Sequence, residues 1–372
     1  MRIFMATGEP SGDMSAAALA DAIRTIVPGA VFEGIGGERM RAAGFRIATE
    51  TRGWASMGPL AAIPKIAPLW VTMWRHALAL RANPPALVVL VDFGAFNLRF
   101  AKSLRTIGYR GPIVYFFPPG AMLDRYKQAH AVARWTRPLS AFARQRDYYR
   151  WLGLDIAYFG HPLVSLVLPR PPHPPPPRDG GTVALLPGSR RREIERHGGR
   201  LIAAFAALRA ARPRLRGLIG AADADAERQI RRMLSLAGPE MRIGLEVVRG
   251  ADAALERADA AWIKSGTAVL EAALREVPAV ALYVVSPSEV EIGRRMWHGP
   301  YITLPNILLA REAIPELLQE AATPERLAAA LAALLDDPSG QIADVRALRA
   351  ALGPPDALTR CAQYAVDVAR GA

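Results

Sequence analysis

Cysteine is almost missing from this 372-residue chain. Cys361 stands alone, which excludes an internal disulfide and a cysteine-rich metal site and fits a reducing cytoplasm. No His/Cys/Asp group has the spacing of metal ligands, and no Gly-x-Ser-x-Gly elbow offers a hydrolase nucleophile. Long apolar runs are lacking too. Residues 3–6 reach Glu9 too soon for a signal peptide or a membrane span, and the longest stretch, near 66–80, is broken by Arg75 and His76. The expectation is a soluble chain, or one that lies on a membrane without crossing it. Carboxylates are in deficit: 34 Asp and Glu face 47 Lys and Arg, nearly all of them Arg, for a formal charge of +13. Such a surplus calls for an anionic partner, whether nucleic acid, an anionic lipid surface or phosphorylated substrates. Without an aromatic-basic repeat or a recognised module, nucleic acid is the weakest of the three.

What the chain does have is alternation. Strands are expected at residues 2–6, 31–34, 86–91, 113–117 and 156–159, with helices between them, for example 143–152. The pattern then repeats, with strands at 182–186, 215–219, 242–247, 260–263 and 279–283 and helices at 193–209, 324–335 and from 343 onward. This is α/β: two doubly wound Rossmann-like domains facing a cleft, with ligands expected at the carboxyl ends of the strands. Seven prolines in 168–181 read as a stiff linker. The division is therefore 1–167, a linker 168–181, 182–342, and C-terminal helices 343–372 that could pack back on the first domain.

Residues 260–271 carry the sharpest local signal. A buried strand stops at Lys264-Ser265-Gly266 and a helix follows from Thr267, so unpaired amides, two hydroxyls and the positive helix end together suit a phosphate. Glu271, one turn on, suits two ribose hydroxyls, and the combination suggests a nucleotide. The alternative is a plain turn capped by serine or threonine. Arg190 follows Gly188-Ser189 at another strand end, where its guanidinium could reach that diphosphate. Asp92 ends the most apolar strand, beside Asn97; it is either a general base or a cap of the helix starting near Ala95. Gly8, Glu9, Ser11, Gly12 and Asp13 cluster after the first strand, and His161 closes the N-terminal half.

The motifs recur in order along the chain: Gly8-Glu9-Pro10-Ser11-Gly12-Asp13, Gly34-Ile35-Gly36-Gly37 with Met40, Met57-Gly58, Asp92 with Phe96-Asn97, and Gly160-His161-Pro162-Leu163. Leu186-Pro187-Gly188-Ser189-Arg190 with Glu193, Ser265-Gly266-Thr267-Ala268 with Leu270-Glu271, and Leu304-Pro305-Asn306 with Glu316-Leu317-Leu318-Gln319 complete the set. Taken together they resemble the lipid-A-disaccharide synthase family, and the resemblance covers most of the chain. It implies an inverting GT-B glycosyltransferase that joins UDP-2,3-diacylglucosamine to 2,3-diacylglucosamine 1-phosphate and releases UDP without metal or cofactor. By position it makes Asp92 the candidate base. Gly188, Ser189, Arg190, Ser265, Gly266, Thr267, Glu271 and Asn306 become the donor side, with Gly8, Glu9, Ser11, Gly12, Asp13, Asn97 and His161 on the acceptor side.

The departures fall in the N-terminal half. Residues 115–123, Tyr-Phe-Phe-Pro-Pro-Gly-Ala-Met-Leu, lack the family's Trp-Ala-Trp; Ala141-Phe142-Ala143 replaces Pro-Phe-Glu; and Ala95 and Ala61 stand where carboxylates are usual. A paralogous UDP-sugar transferase with another acceptor therefore stays open, as does a non-catalytic nucleotide-sugar binder. Residues 63–80, with Leu69, Trp70, Met73 and Trp74 beside Lys65 and Arg75, read either as a basic amphipathic segment lying on the cytoplasmic face of the inner membrane or as a core helix. A homodimer also stays open.

Overall fold

The computed structural model describes residues 1–51, 54, 59–120, 125–169, 177–297 and 299–371. Met57-Gly58, residues 121–123 and residues 170–176 of the proline run lie outside the described residues, as do the side chains of Ala61, Ile63 and Lys65.

The first sheet is built from β1 (Arg2–Ala6), β2 (Val31–Gly36), β3 (Arg46–Glu50), β4 (Leu87–Val91), β5 (Ile113–Phe116), β6 (Arg137–Ser140) and β7 (Ala157–Tyr158). Its order is β3-β2-β1-β4-β5-β6-β7. The second comprises β8 (Thr182–Leu186), β9 (Arg216–Ala221), β10 (Leu245–Arg249), β11 (Ala260–Lys264), β12 (Ala279–Tyr283) and β13 (Glu316–Leu318), in the order β10-β9-β8-β11-β12-β13. All pairings are parallel. In each sheet the order of winding reverses once, between β1 and β4 and between β8 and β11. Those reversals open crevices at the strands' carboxyl ends, the standard place for a ligand in such sheets.

Both faces of each sheet are covered, so the central strands are apolar throughout; Leu87-Val88-Val89-Leu90-Val91 has no exposed side chain. Trp262 of β11 is fully buried and satisfies its indole by donating to the Leu327 carbonyl at 2.9 Å. The chain divides into one unit of Met1–Leu166 with Leu352–Ala372 and another of Val167–Ala351. The last helix, Ala357–Arg370, returns to the first unit and lays Cys361, Ala362 and Ala365 against the core that Ala16, Leu19 and Ile23 of helix Pro10–Ile26 help to form. Helix Ser339–Leu352 stays with the second unit instead. Gln341 exchanges hydrogen bonds with both backbone groups of Ala279 (2.6 and 3.1 Å), and Arg346 pairs with Glu276 at 2.7 Å. Residues 343–351 thus part from the last helix, and a boundary drawn at 342 cuts through one element.

Three strands are absent from the sequence-based expectation. β6 reads Arg-Pro-Leu-Ser, and a proline ordinarily argues against a strand flanked on both sides. β3 and β13 are sheet edges; β3 reads Arg-Ile-Ala-Thr-Glu and β13 is only three residues long.

Asp13, in the first turn of helix Pro10–Ile26 and buried at 6% exposure, ties that helix to the second strand's end. Its carboxylate accepts the amides of Gly37 (2.7 Å), Arg39 (2.8 Å) and Met40 (3.3 Å), so it caps helix Glu38–Ala42 from a neighbouring element. Asp13→Ala should cost about 3 kcal/mol in chemical unfolding, the scale of buried amides losing a charged acceptor. A loss under about 1 kcal/mol would show that water replaces the carboxylate.

Candidate active site

At the β1/β4 reversal the chain leaves β4 through Asp92 and Phe93, both left-handed at φ 49° and 47°. Non-glycine residues reach that region at a cost of about 1–3 kcal/mol each, so the surroundings must enforce it. Three side chains do. The Asn97 amide, with no exposure, donates to the carbonyls of Ala6 (3.1 Å), Val91 (3.1 Å) and Asp92 (2.9 Å). The Tyr115 hydroxyl donates to the same Asp92 carbonyl at 3.0 Å, and burial, helped by Asp92 and Tyr149, keeps that phenol neutral by pushing its pKa well up. Phe93 packs over Gly8, where a β-carbon would come within 2.3 Å of the ring. Helix Gly94–Thr106 starts from Phe93, whose side chain makes no cap hydrogen bond.

Glu9 and Ser11 flank the start of helix Pro10–Ile26, and neither provides a side-chain N-cap. Gly12 is packed so closely that a β-carbon would lie 2.0 Å from the Thr7 hydroxyl. His161 is buried at 4% exposure between the Phe117 and Phe142 rings, and its Nδ1 accepts the Leu163 amide at 3.2 Å. Burial lowers its pKa to about 3, which leaves a neutral, structurally engaged ring.

At the β8/β11 reversal the central group is a carboxylate. Glu193, 1% exposed, accepts the amides of Ser189 (3.0 Å) and Arg190 (3.3 Å), the Arg190 guanidinium (3.4 Å) and the Lys264 ammonium (2.9 Å). Burial opposes its ionisation, but Lys264 and then Arg190 outweigh that and hold the carboxyl below the usual range. Gly188, at φ +117°, leaves room for it, since a β-carbon there would lie 2.5 Å from the carboxylate. His197, fully buried, takes the Val284 amide on Nε2 (3.0 Å) and meets the Pro187 carbonyl with Nδ1 (3.0 Å), which defines the Nδ1–H tautomer.

Helix Thr267–Leu274 begins at Gly266 with no side-chain cap. Ser265 does not supply one; its hydroxyl donates to the Ile302 carbonyl at 3.4 Å. Gly266 has no side chain to cap the first-turn amides, and the Val269 amide turns back to the Gly266 carbonyl at 3.2 Å. Glu271 is 8% exposed, with its carboxylate 4.0 Å from the Arg275 guanidinium. Asn306, fully buried, is spent on structure: its amide donates to the Ile314 carbonyl (2.7 Å) and Glu316 (2.8 Å), and its oxygen accepts the amides of Ala313 and Ile314 (both 2.8 Å). Glu316 in turn accepts the amides of Ile302 and Thr303 (both 2.9 Å). A chain of hydrogen bonds therefore runs from Asn306 to the segment that Ser265 touches.

The structure brings Gly188, Ser189, Arg190, Ser265, Gly266 and Thr267 to one switch point, and Gly8, Asp92 and Asn97 to the other. Sequence reasoning missed the central part of Glu193 and the contributions of Lys264, Tyr115 and Glu316. Glu193 had a signal, since an acid three residues beyond Gly188-Ser189-Arg190 can fold back on the turn.

This architecture, two doubly wound units each with its own switch point, is the GT-B fold. Solved structures that share it include S. aureus MnaA with UDP, at TM-score 0.63 and 11% identity over 99% of this chain and 97% of that one. The calicheamicin glycosyltransferase CalG4 matches at 0.56 and 15%, over 100% and 98%. The lipid-A-disaccharide synthetase profile matches residues 3–351. Curated relatives include the lipid-A-disaccharide synthase of Synechocystis sp., 34% identical over 100% of this chain and 98% of that protein. That of Pseudomonas aeruginosa (strain UCBPP-PA14) is 33% identical over 95% and 94%. The chain belongs to the lipid-A-disaccharide synthetase family.

The buried His161 has a consequence for pH. Because its folded pKa lies near 3 rather than 6.5, the unfolded chain takes up a proton that the folded chain refuses. Its contribution to stability is complete above about pH 6.5 and is lost as pH falls toward 3, at up to about 1.4 kcal/mol per pH unit. Unfolding free energies of wild type and His161→Gln across that window should show a shallower slope in the variant. Equal slopes would remove His161 as the source.

Proposed function

We propose that this enzyme transfers 2,3-diacylglucosamine from its UDP donor to 2,3-diacylglucosamine 1-phosphate with inversion, releasing UDP in lipid A biosynthesis. The observation that carries the reading is the division of chemistry between the two switch points: a carboxylate on an enforced left-handed turn in one unit, a cation-lined, uncapped amide turn in the other. In this reading Asp92 takes the proton of the acceptor's primary hydroxyl as that oxygen attacks the anomeric carbon. The electron pair of the breaking C1–O bond passes to the diphosphate, whose charge Arg190 and the amides after Gly266 stabilise. Glu271 accepts the ribose hydroxyls. Gly188 and Ser189 shape the turn, and Asn97 and Asn306 act as positioning residues.

Turnover of the purified enzyme, read as disaccharide by mass spectrometry beside UDP affinity by calorimetry, is the test. Asp92→Asn should lower turnover about 10²–10⁴-fold while UDP affinity stays nearly unchanged, because the lost contact belongs to the transition state. Full activity in Asp92→Asn would remove it as the base. A wild-type enzyme that binds UDP-sugar yet ignores this acceptor would favour the paralogue reading, which Ala95 and Ala141-Phe142-Ala143 keep in view.

In this reading the enzyme works at the cytoplasmic face of the inner membrane, with the first unit docked there. Among the described residues no helix is long and apolar enough to cross a bilayer. Helix Pro59–Ala82 instead exposes apolar groups: Met73, Ala77 and Leu80 are buried, while Ile66 and Trp70, earlier on the same stripe, and Val71 and Leu78, across the helix, are 51–69% exposed. The charge is as uneven. Residues 59–151 hold fourteen Lys and Arg against three Asp and Glu, a surplus of eleven out of the chain's +13. A cationic segment with exposed indole and aliphatic groups suits an anionic lipid surface, at about 1 kcal/mol per well-placed cation. The protein should float with anionic liposomes, not neutral ones, and come off at high salt. Equal recovery with both lipids would count against docking by charge.

A further inference from the structure

Lysine is rare here: four lysines stand among 47 basic residues, and Lys264 is the one at the β8/β11 switch point. Its ammonium lies 2.9 Å from Glu193 and 5.4 Å from the centre of the Tyr283 ring. It also sits 3.5 Å from where a β-carbon on Gly266 would be, which puts it against the turn that opens helix Thr267–Leu274. We propose that Lys264 is a phosphate-contacting residue of the donor site, a second cation that Glu193 holds against the Ser265-Gly266-Thr267 turn. The inference rests on the reading of that turn as the seat of the UDP diphosphate.

Three observations favour a ligand over a simple counter-ion. Glu193 already accepts two amides and approaches the Arg190 guanidinium, so its carboxylate is well served without a lysine. Two cations, Arg190 and Lys264, share that one carboxylate beside the turn. Among the ionisable groups around it, burial lowers the pKa of His197 and raises that of Tyr283, and Glu289 is matched by Arg196 at 2.7 Å. Finally, an ammonium has three donors, and the bond to Glu193 uses one. As a compact point charge it can turn toward a phosphate oxygen while keeping that bond, a geometry in which a planar guanidinium is less adaptable. As the C1–O bond breaks, charge developing on the β-phosphate would be stabilised by the same contact.

Calorimetry with UDP and with uridine separates this from a structural role. Lys264→Met should weaken UDP about 10- to 100-fold, as expected for one charge-assisted hydrogen bond, and leave uridine affinity unchanged. Lys264→Arg should recover part of the loss. The double variant Lys264→Met/Glu193→Gln removes both members of the buried pair, so it guards against misfolding of the single variant and should still bind UDP weakly. Wild-type UDP affinity in the double variant, or equal losses for UDP and uridine in Lys264→Met, would reduce Lys264 to a counter-ion and overturn the inference. A wild-type enzyme that does not bind UDP would instead sink the donor-site reading, and this inference with it.

Discussion

Where a parallel sheet reverses its order of winding, the carbonyl and amide groups at the ends of adjacent strands run out of ladder partners, and in a buried setting each must be paired by something else. The two switch points of this protein meet that constraint with single side chains. In the first unit the Asn97 amide lies within 3.1 Å of three carbonyls from the ends of β1 and β4. In the second, Glu193 collects two amides from the turn after β8, and His197 spans the Pro187 carbonyl and the Val284 amide. Each of these groups is buried and held from several directions, so each switch point is rigid before any ligand arrives.

Rigidity at the first point carries a cost. Two successive left-handed residues at Asp92 and Phe93 store about 1–3 kcal/mol each, and an ordinary strand-to-helix turn would not need them. The cost is offset by the Asn97 and Tyr115 hydrogen bonds to the Asp92 carbonyl, which exist only in this conformation. The strain is consistent with a carboxylate whose direction matters more than the comfort of its backbone. Asp13, a few residues beyond β1, shows the contrast. Its carboxylate also sits at a strand end, but three amides engage it and it serves the fold.

The fold was largely legible because parallel sheets buried on both faces write continuous apolar runs such as residues 87–91 and 260–263. Edge strands β3 and β13 left no such trace, and β6 hid behind Pro138. At the site, the residue types that announce themselves were Gly188, Ser265, Gly266 and Thr267, whose small side chains imply a turn. Asn97, Asn306 and His161 also stood out, yet what each does depends on partners distant in sequence: Asn97 reaches back to Ala6, and His161 is boxed by Phe117 and Phe142. Glu193 and Lys264 were the least legible. One reads as a helical acid among arginines and the other as the last residue of a strand, and only the β8/β11 pairing of Leu186 with Ile263 brings the two turns side by side.

Charge segregation argues in the same physical terms that the basic character is more than composition. If the arginines simply followed a compositional bias, carboxylates would be expected to accompany them everywhere, as they do along residues 1–58, where six basic and six acidic residues balance. The second unit also matches its cations with acids, through pairs such as Arg196–Glu289, Arg257–Glu246 and Arg346–Glu276. Residues 59–151 cannot do so, because three carboxylates can neutralise at most three of fourteen cations within the segment. Self-repulsion of that size works against the compact state, and an external anionic surface would relieve it. The same segment carries the exposed Trp70, Val71 and Leu78, whose burial in a bilayer interface would add the apolar part of the attraction. Charge and exposed apolar surface thus fall within one stretch of sequence, and the membrane docking proposed above is the reading that uses both.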